Sequence, residues 1–67
     1  MIKEIAIYIE KDRPIVFQVG KELINQEGKP MRKMVIKIAC WFNTAKIFLS
    51  DGQRFVYKGF KVSYVEE

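Results

Sequence analysis

Apolar and polar residues alternate one by one along most of this chain, and that period of two restricts the possible folds more than any other feature. Ile5, Ile7 and Ile9 fall on one side of a first run, and Ile15, Phe17 and Val19 on one side of a second. Met34, Ile36, Ile38, Cys40 and Phe42 do the same in a long third run. Successive side chains of an extended strand point to opposite faces, so these runs predict half-buried strands rather than helices. Lys46 to Ser50, Gln53 to Lys58 and Phe60 to Val65 complete the set, rich in the β-branched and aromatic residues that strands favour.

Turn chemistry separates the runs. Asp51-Gly52 predicts a two-residue hairpin turn, because Asp and Gly tolerate the positive φ such a turn needs. Lys58-Gly59 suggests a second tight turn, Asp12-Arg13-Pro14 a third and Asn43-Thr44-Ala45 a fourth. Between Gly20 and Met31 two readings compete. One is a hairpin loop over Asn25 to Pro30; the other is a short helix at 21–27, stopped by Gly28 with Pro30 beyond. The hairpin is favoured, since so short a helix needs a broad apolar face and only Leu23 and Ile24 supply one. The expectation is an all-β fold of five to six short antiparallel strands in a meander. It forms a small barrel or strongly curved sheet, SH3-like or OB-like in size, as a single domain over 1–67.

Register decides which face is buried, because a one-residue slip turns every side chain over. Two-residue turns at Asp51-Gly52 and Lys58-Gly59 place Phe48, Phe55, Tyr57, Phe60, Val62 and Tyr64 on one aromatic face. A three-residue turn at Asn43 to Ala45 adds the Met34 to Phe42 row to it. The opposite face then carries Lys33, Lys37, Trp41, Arg54, Lys58 and Lys61, with Val35, Ile47, Leu49, Val56 and Val65 among them. Sheets facing only water seldom hold so many aliphatic residues, so this face calls either for the N-terminal strands to fold over part of it or for a protein partner.

Charge points to the same strands. The net charge of +4 hides a balance of −1 over residues 1 to 28, +7 over 29 to 61 and −2 from Glu66 and Glu67. A one-sided basic face bearing a tryptophan suits nucleic acid: Lys33, Lys37, Arg54, Lys58 and Lys61 neutralise phosphates and Trp41 offers a π-face to an unpaired base. The same lysines also serve to keep sheet edges from pairing.

Catalytic chemistry has few candidates. The chain has no histidine, no serine beside a base and no carboxylate cluster, so neither nucleophilic nor acid–base catalysis has a visible constellation and no enzyme activity is expected. Cys40 is the only cysteine and reads as a small core hydrophobe. It has no cysteine or histidine partner for a metal site, and the four glycines do not space a phosphate loop, so no cofactor is expected. A lone cysteine and the absence of any long uncharged stretch point to the cytoplasm rather than to export or a membrane. The functional expectation is a small basic binding module for nucleic acid, without sequence specificity. The alternative is an intracellular protein-interaction module: an adaptor, an inhibitor of a larger macromolecule or a homo-oligomer subunit. Either suits a small accessory protein of a bacterium or phage.

Overall fold

The computed structural model describes residues 1–25 and 27–67, and these form seven strands and no helix. β1 (Ile2–Glu10), β2 (Arg13–Gln18), β3 (Glu22–Ile24) and β4 (Pro30–Trp41) are followed by β5 (Thr44–Leu49), β6 (Arg54–Lys58) and β7 (Lys61–Glu66). They build two antiparallel sheets, ordered β2-β1-β7 and β3-β4-β5-β6, which pack as a small, partly open barrel. The all-β expectation holds, with one strand more than the five to six expected. The addition is β3, which forms where the hairpin and the helix over 21–27 competed.

The hairpin prevails there because its turn satisfies its own backbone. Asn25 Oδ1 accepts the N–H groups of Glu27 and Lys29, both at 2.9 Å, and Gly28 supplies the positive φ, +81°, that closes the loop. Gln26 lies outside the described residues. β2 and β3 behave as one bent strand crossing from sheet to sheet at Gly20, whose N–H donates to Val35 O at 2.8 Å while Val35 N–H donates to Lys21 O at 3.1 Å.

Gly59 makes the second crossing. Lys58-Gly59 is not a hairpin turn, since β6 pairs with β5 and β7 pairs with β1. The bend works because Gly59 lacks a side chain: a Cβ there would sit 2.9 Å from the carbonyl carbon of Tyr8. Phe60 N–H donates to Tyr8 O at 2.9 Å and Gly59 N–H to Asn43 O at 3.0 Å, so the crossing is pinned to both sheets.

Two turns differ from expectation by one residue each, and together they turn β5 over. Ser50-Asp51-Gly52 is a three-residue loop closed by Leu49 N–H on Gln53 O at 2.9 Å, with Gly52 at φ +89°. A type I turn followed by a left-handed glycine is a favoured three-residue hairpin connection. Phe42-Asn43 is a two-residue turn between Trp41 and Thr44. Ile47 therefore faces Phe55, and Ile38 faces Ile47. Ala45, Ile47 and Leu49 point inward and are buried, whereas Lys46 and Phe48 point outward.

Bulges settle the remaining departures from alternation. An extra residue on β4 between Val35 and Lys37 lets Val35 and Ile38 both face the core despite their three-residue spacing, and leaves Ile36 outside. A bulge between Tyr8 and Glu10 does the same to Ile9. The buried core is Ile5, Ile7, Phe17, Val35, Ile38, Ala45, Ile47 and Leu49. Met34, Ile36, Phe42, Phe60 and Tyr64, expected on the core face, are exposed. Phe55, Tyr57 and Val62 do pack against the core, and the Phe17 and Tyr57 rings lie 5.6 Å apart across the two sheets.

The register can be checked by truncation. Leu49→Ala empties a fully buried site and is expected to cost about 2–5 kcal/mol in urea unfolding. Phe48→Ala is expected to cost about 1 kcal/mol, because its ring is partly solvated. The reverse order would restore the register with Phe48 in the core.

Candidate functional site

Once β5 is turned over, the outward residues of β4, β5 and β6 form a grid of three rows. Lys37, Phe48 and Arg54 line up across the strands, then Ala39, Lys46 and Val56, then Trp41, Thr44 and Lys58. Strands lie about 4.8 Å apart and alternate residues about 7 Å apart, so the grid covers roughly 10 by 14 Å. It holds four cations and no carboxylate.

Phe48 occupies the middle strand of the first row. The Lys37 ammonium lies 5.6 Å from its ring centroid and the Lys46 ammonium 5.4 Å. Each such contact at an exposed site stabilises by about 0.5–1 kcal/mol, and the lysine stems shield an aromatic that would otherwise face water. The pairing also gathers positive charge over one spot. Lys37 and Arg54 flank Phe48 about 10 Å apart, where two like charges in water repel by roughly 0.4 kcal/mol. That repulsion is small enough for the fold to tolerate, and an anion placed over the row relieves it.

Trp41 stands at the end of the grid, 46% exposed, beside Thr44, whose other neighbour is Lys58. Its indole is therefore accessible in a cationic setting. Cys40, next in sequence, is half-buried against the core, with Sγ 3.8 Å from Phe42 O.

Lys37, Trp41, Arg54 and Lys58, four of the six residues singled out in the sequence, thus share one face. The other two lie elsewhere. Lys33 precedes the β4 bulge and turns toward the Ser50–Gly52 loop, where its ammonium bonds to Gln53 Oε1 and lies 3.4 Å from Asp51 Oδ2. Lys61 belongs to β7 in the other sheet, its ammonium 5.4 Å from the Tyr8 ring centroid. Two residues join the face instead, Lys46 and Phe48. Both are outward because Asp51-Gly52 closes a three-residue loop, and Ser50 is the residue that signals it: its Oγ accepts Met34 N–H at 3.0 Å.

Away from the grid, an apolar groove of about 670 Å³ lies between β2, β3 and β6. Phe17, Val35, Phe55 and Tyr57 line it, with the more exposed Val16 and Ile24 beside them. Among the described residues, no three His, Cys, Asp or Glu side chains stand close enough to hold a metal, and no helix is long and apolar enough to cross a membrane. No family model, curated protein or solved structure matches this chain.

The loop lowers the titration of Asp51. The N–H of Gln53, donating to Oδ1 at 2.9 Å, holds its carboxyl below the usual range, helped by Lys33. A lowered folded-state pKa means stability that is present above the unfolded pKa and lost as pH falls through the folded one. Asp51→Asn keeps the acceptor but removes the charge. The variant is expected to unfold at slightly lower urea than wild type near neutral pH, the gap closing in acid; a gap that persists or grows in acid would contradict the assignment.

Proposed function

We propose that this protein is a non-catalytic binding module that takes nucleic acid on the outer face of β4, β5 and β6. The observation carrying this reading is the grid itself: Lys37, Lys46, Arg54 and Lys58 beside Trp41 and Phe48, with no carboxylate among them. Lysine and arginine neutralise phosphates and so release their condensed counterions into solution, which requires charge but no particular base. Aromatic faces then hold unpaired bases, at about 1–3 kcal/mol per stacked base. Nothing on the grid is arranged as a base-reading amide or carboxylate, so the reading is one of sequence-tolerant binding.

Four neutralised phosphates of a single strand imply a slope of roughly −3 for log affinity against log salt. Lys46→Glu, at the centre of the grid, is expected to abolish binding at moderate salt. Lys61→Glu, on the other sheet, is expected to leave the slope nearly unchanged. Titration of a labelled oligonucleotide at several salt concentrations measures both. Equal losses from the two variants would mean that overall charge, not this face, does the binding.

The groove favours a second reading, a protein-interaction module. β2, β3 and β6 are all edge strands around it, with unpaired backbone groups beside an apolar floor. An extended segment of a partner can add to such an edge and seat alternate side chains below. If a second copy fills it, light scattering is expected to give twice 7.9 kDa, and Val16→Glu is expected to return the mass to that of a monomer. A wild-type monomer would remove self-association through this groove.

A further inference from the structure

Phe42 contradicts two ordinary preferences at once. It is 96% exposed at the tip of the β4–β5 hairpin, and its φ is +53°, in the left-handed region that β-carbon sterics disfavour. In a two-residue hairpin turn with positive φ at its first position, that position ordinarily belongs to glycine. An aromatic ring there gains no packing and strains the backbone. Such strain clusters at functional sites.

The surroundings of the ring indicate what it meets. Trp41 adjoins it in sequence, also exposed, and the cations next along the sheet are Lys58, Lys46 and then Lys37. Those charges lie on the outer face only and recede from the tip for about 13 Å, the rise of four strand residues. A bilayer surface would call for cations ringing the tip at one depth. A line of charge leading away from an aromatic pair fits a phosphate backbone whose bases reach the tip.

We infer that Phe42 is a base-unstacking wedge: it enters between bases of a single-stranded or locally unpaired nucleic acid while Trp41 stacks on the base beside it and Lys58, Lys46 and Lys37 follow the phosphates. This deepens the nucleic-acid reading of the sheet face and rests on it. Apolar side chains inserted between base steps are a known means of unstacking them, and the energetic cost is least where the bases are already unpaired. The protein should therefore prefer a single strand to a duplex of equal length.

Phe42→Gly separates wedge from scaffold, because glycine suits the backbone conformation better than phenylalanine does. Its melting temperature is expected to match or slightly exceed that of wild type. Its affinity for an oligothymidylate of about twelve nucleotides, within the footprint of small single-strand binding folds, is expected to fall roughly tenfold with the salt slope unchanged. Phe42→Tyr should retain binding. Fluorescence of Trp41, the only tryptophan, should be quenched by the oligonucleotide in wild type and less so in Phe42→Gly. Full affinity in Phe42→Gly, alongside lost binding in Lys46→Glu, would overturn the wedge and leave the face intact. No binding by wild type at low salt would overturn both. Loss in Phe42→Gly of binding to anionic phosphatidylserine vesicles, with oligonucleotide binding untouched, would assign the tip to a membrane instead.

Discussion

The register of β5 is the constraint on which the rest of the structure depends. This strand is held between a two-residue turn at Phe42-Asn43 and a three-residue loop at Ser50 to Gly52, and the two together determine which of its sides is buried. Ala45, Ile47 and Leu49 go in, where they meet Ile5 and Ile7 of β1 in one cluster. Lys46 and Phe48 go out by necessity, since alternate side chains cannot share a face. The core and the basic grid are thus two consequences of one choice. A change that shifted either turn by one residue would bury Lys46 and expose Leu49, and desolvating an unpaired ammonium costs several kcal/mol.

The loop at Ser50 is reinforced from three directions, which explains why it does not slip. Ser50 exchanges bonds with the Met34 backbone, Asp51 accepts from Gln53, and Lys33 reaches across to Asp51 and Gln53. Lys33 is therefore engaged in the scaffold rather than free for a ligand. At the opposite end of the same strand the Phe42-Asn43 turn is tied back through Asn43 O, which accepts Gly59 N–H at 3.0 Å, and it carries a strained, exposed aromatic. The two bends at Gly20 and Gly59 complete the scaffold, each passing the chain from one sheet to the other so that β1 and β7 can close over the inner side of β4 and β5.

Those bends also answer a difficulty visible in the sequence. Val35, Ile47 and Leu49 looked like aliphatic residues stranded among lysines, needing either the N-terminal strands or a partner to cover them. They are interior, and the N-terminal strands do cover them, Ile5 and Ile7 of β1 and Phe17 of β2 sharing their cluster. What remains outside beside the cations is Ala39, Val56, Trp41 and Phe48, so the face mixes apolar area with charge. Phe42, 96% exposed, lies at the hairpin tip beyond the grid rather than within it.

By itself the sequence determined the strand class, the approximate strand positions, the lack of histidine and the concentration of positive charge in the second half. These follow from residue identity and from the period of two, which are local. It also determined the parity of β1, β2 and β6, where Ile5, Ile7, Phe17, Phe55 and Tyr57 sit on the expected side. The tertiary structure decided the parity of β5 and of the N-terminal part of β4, because that depends on loop lengths differing by a single residue and on a bulge at Ile36. Neither leaves a periodic trace. Asp-Gly suits both a two-residue turn and the end of a three-residue one, and only the bonds from Ser50 to Met34 on a neighbouring strand select between them. The same cause accounts for the site: Lys37, Trp41, Arg54 and Lys58 were legible from charge and alternation, whereas Lys46 and Phe48 changed sides with the register and Phe42 passed from strand to turn.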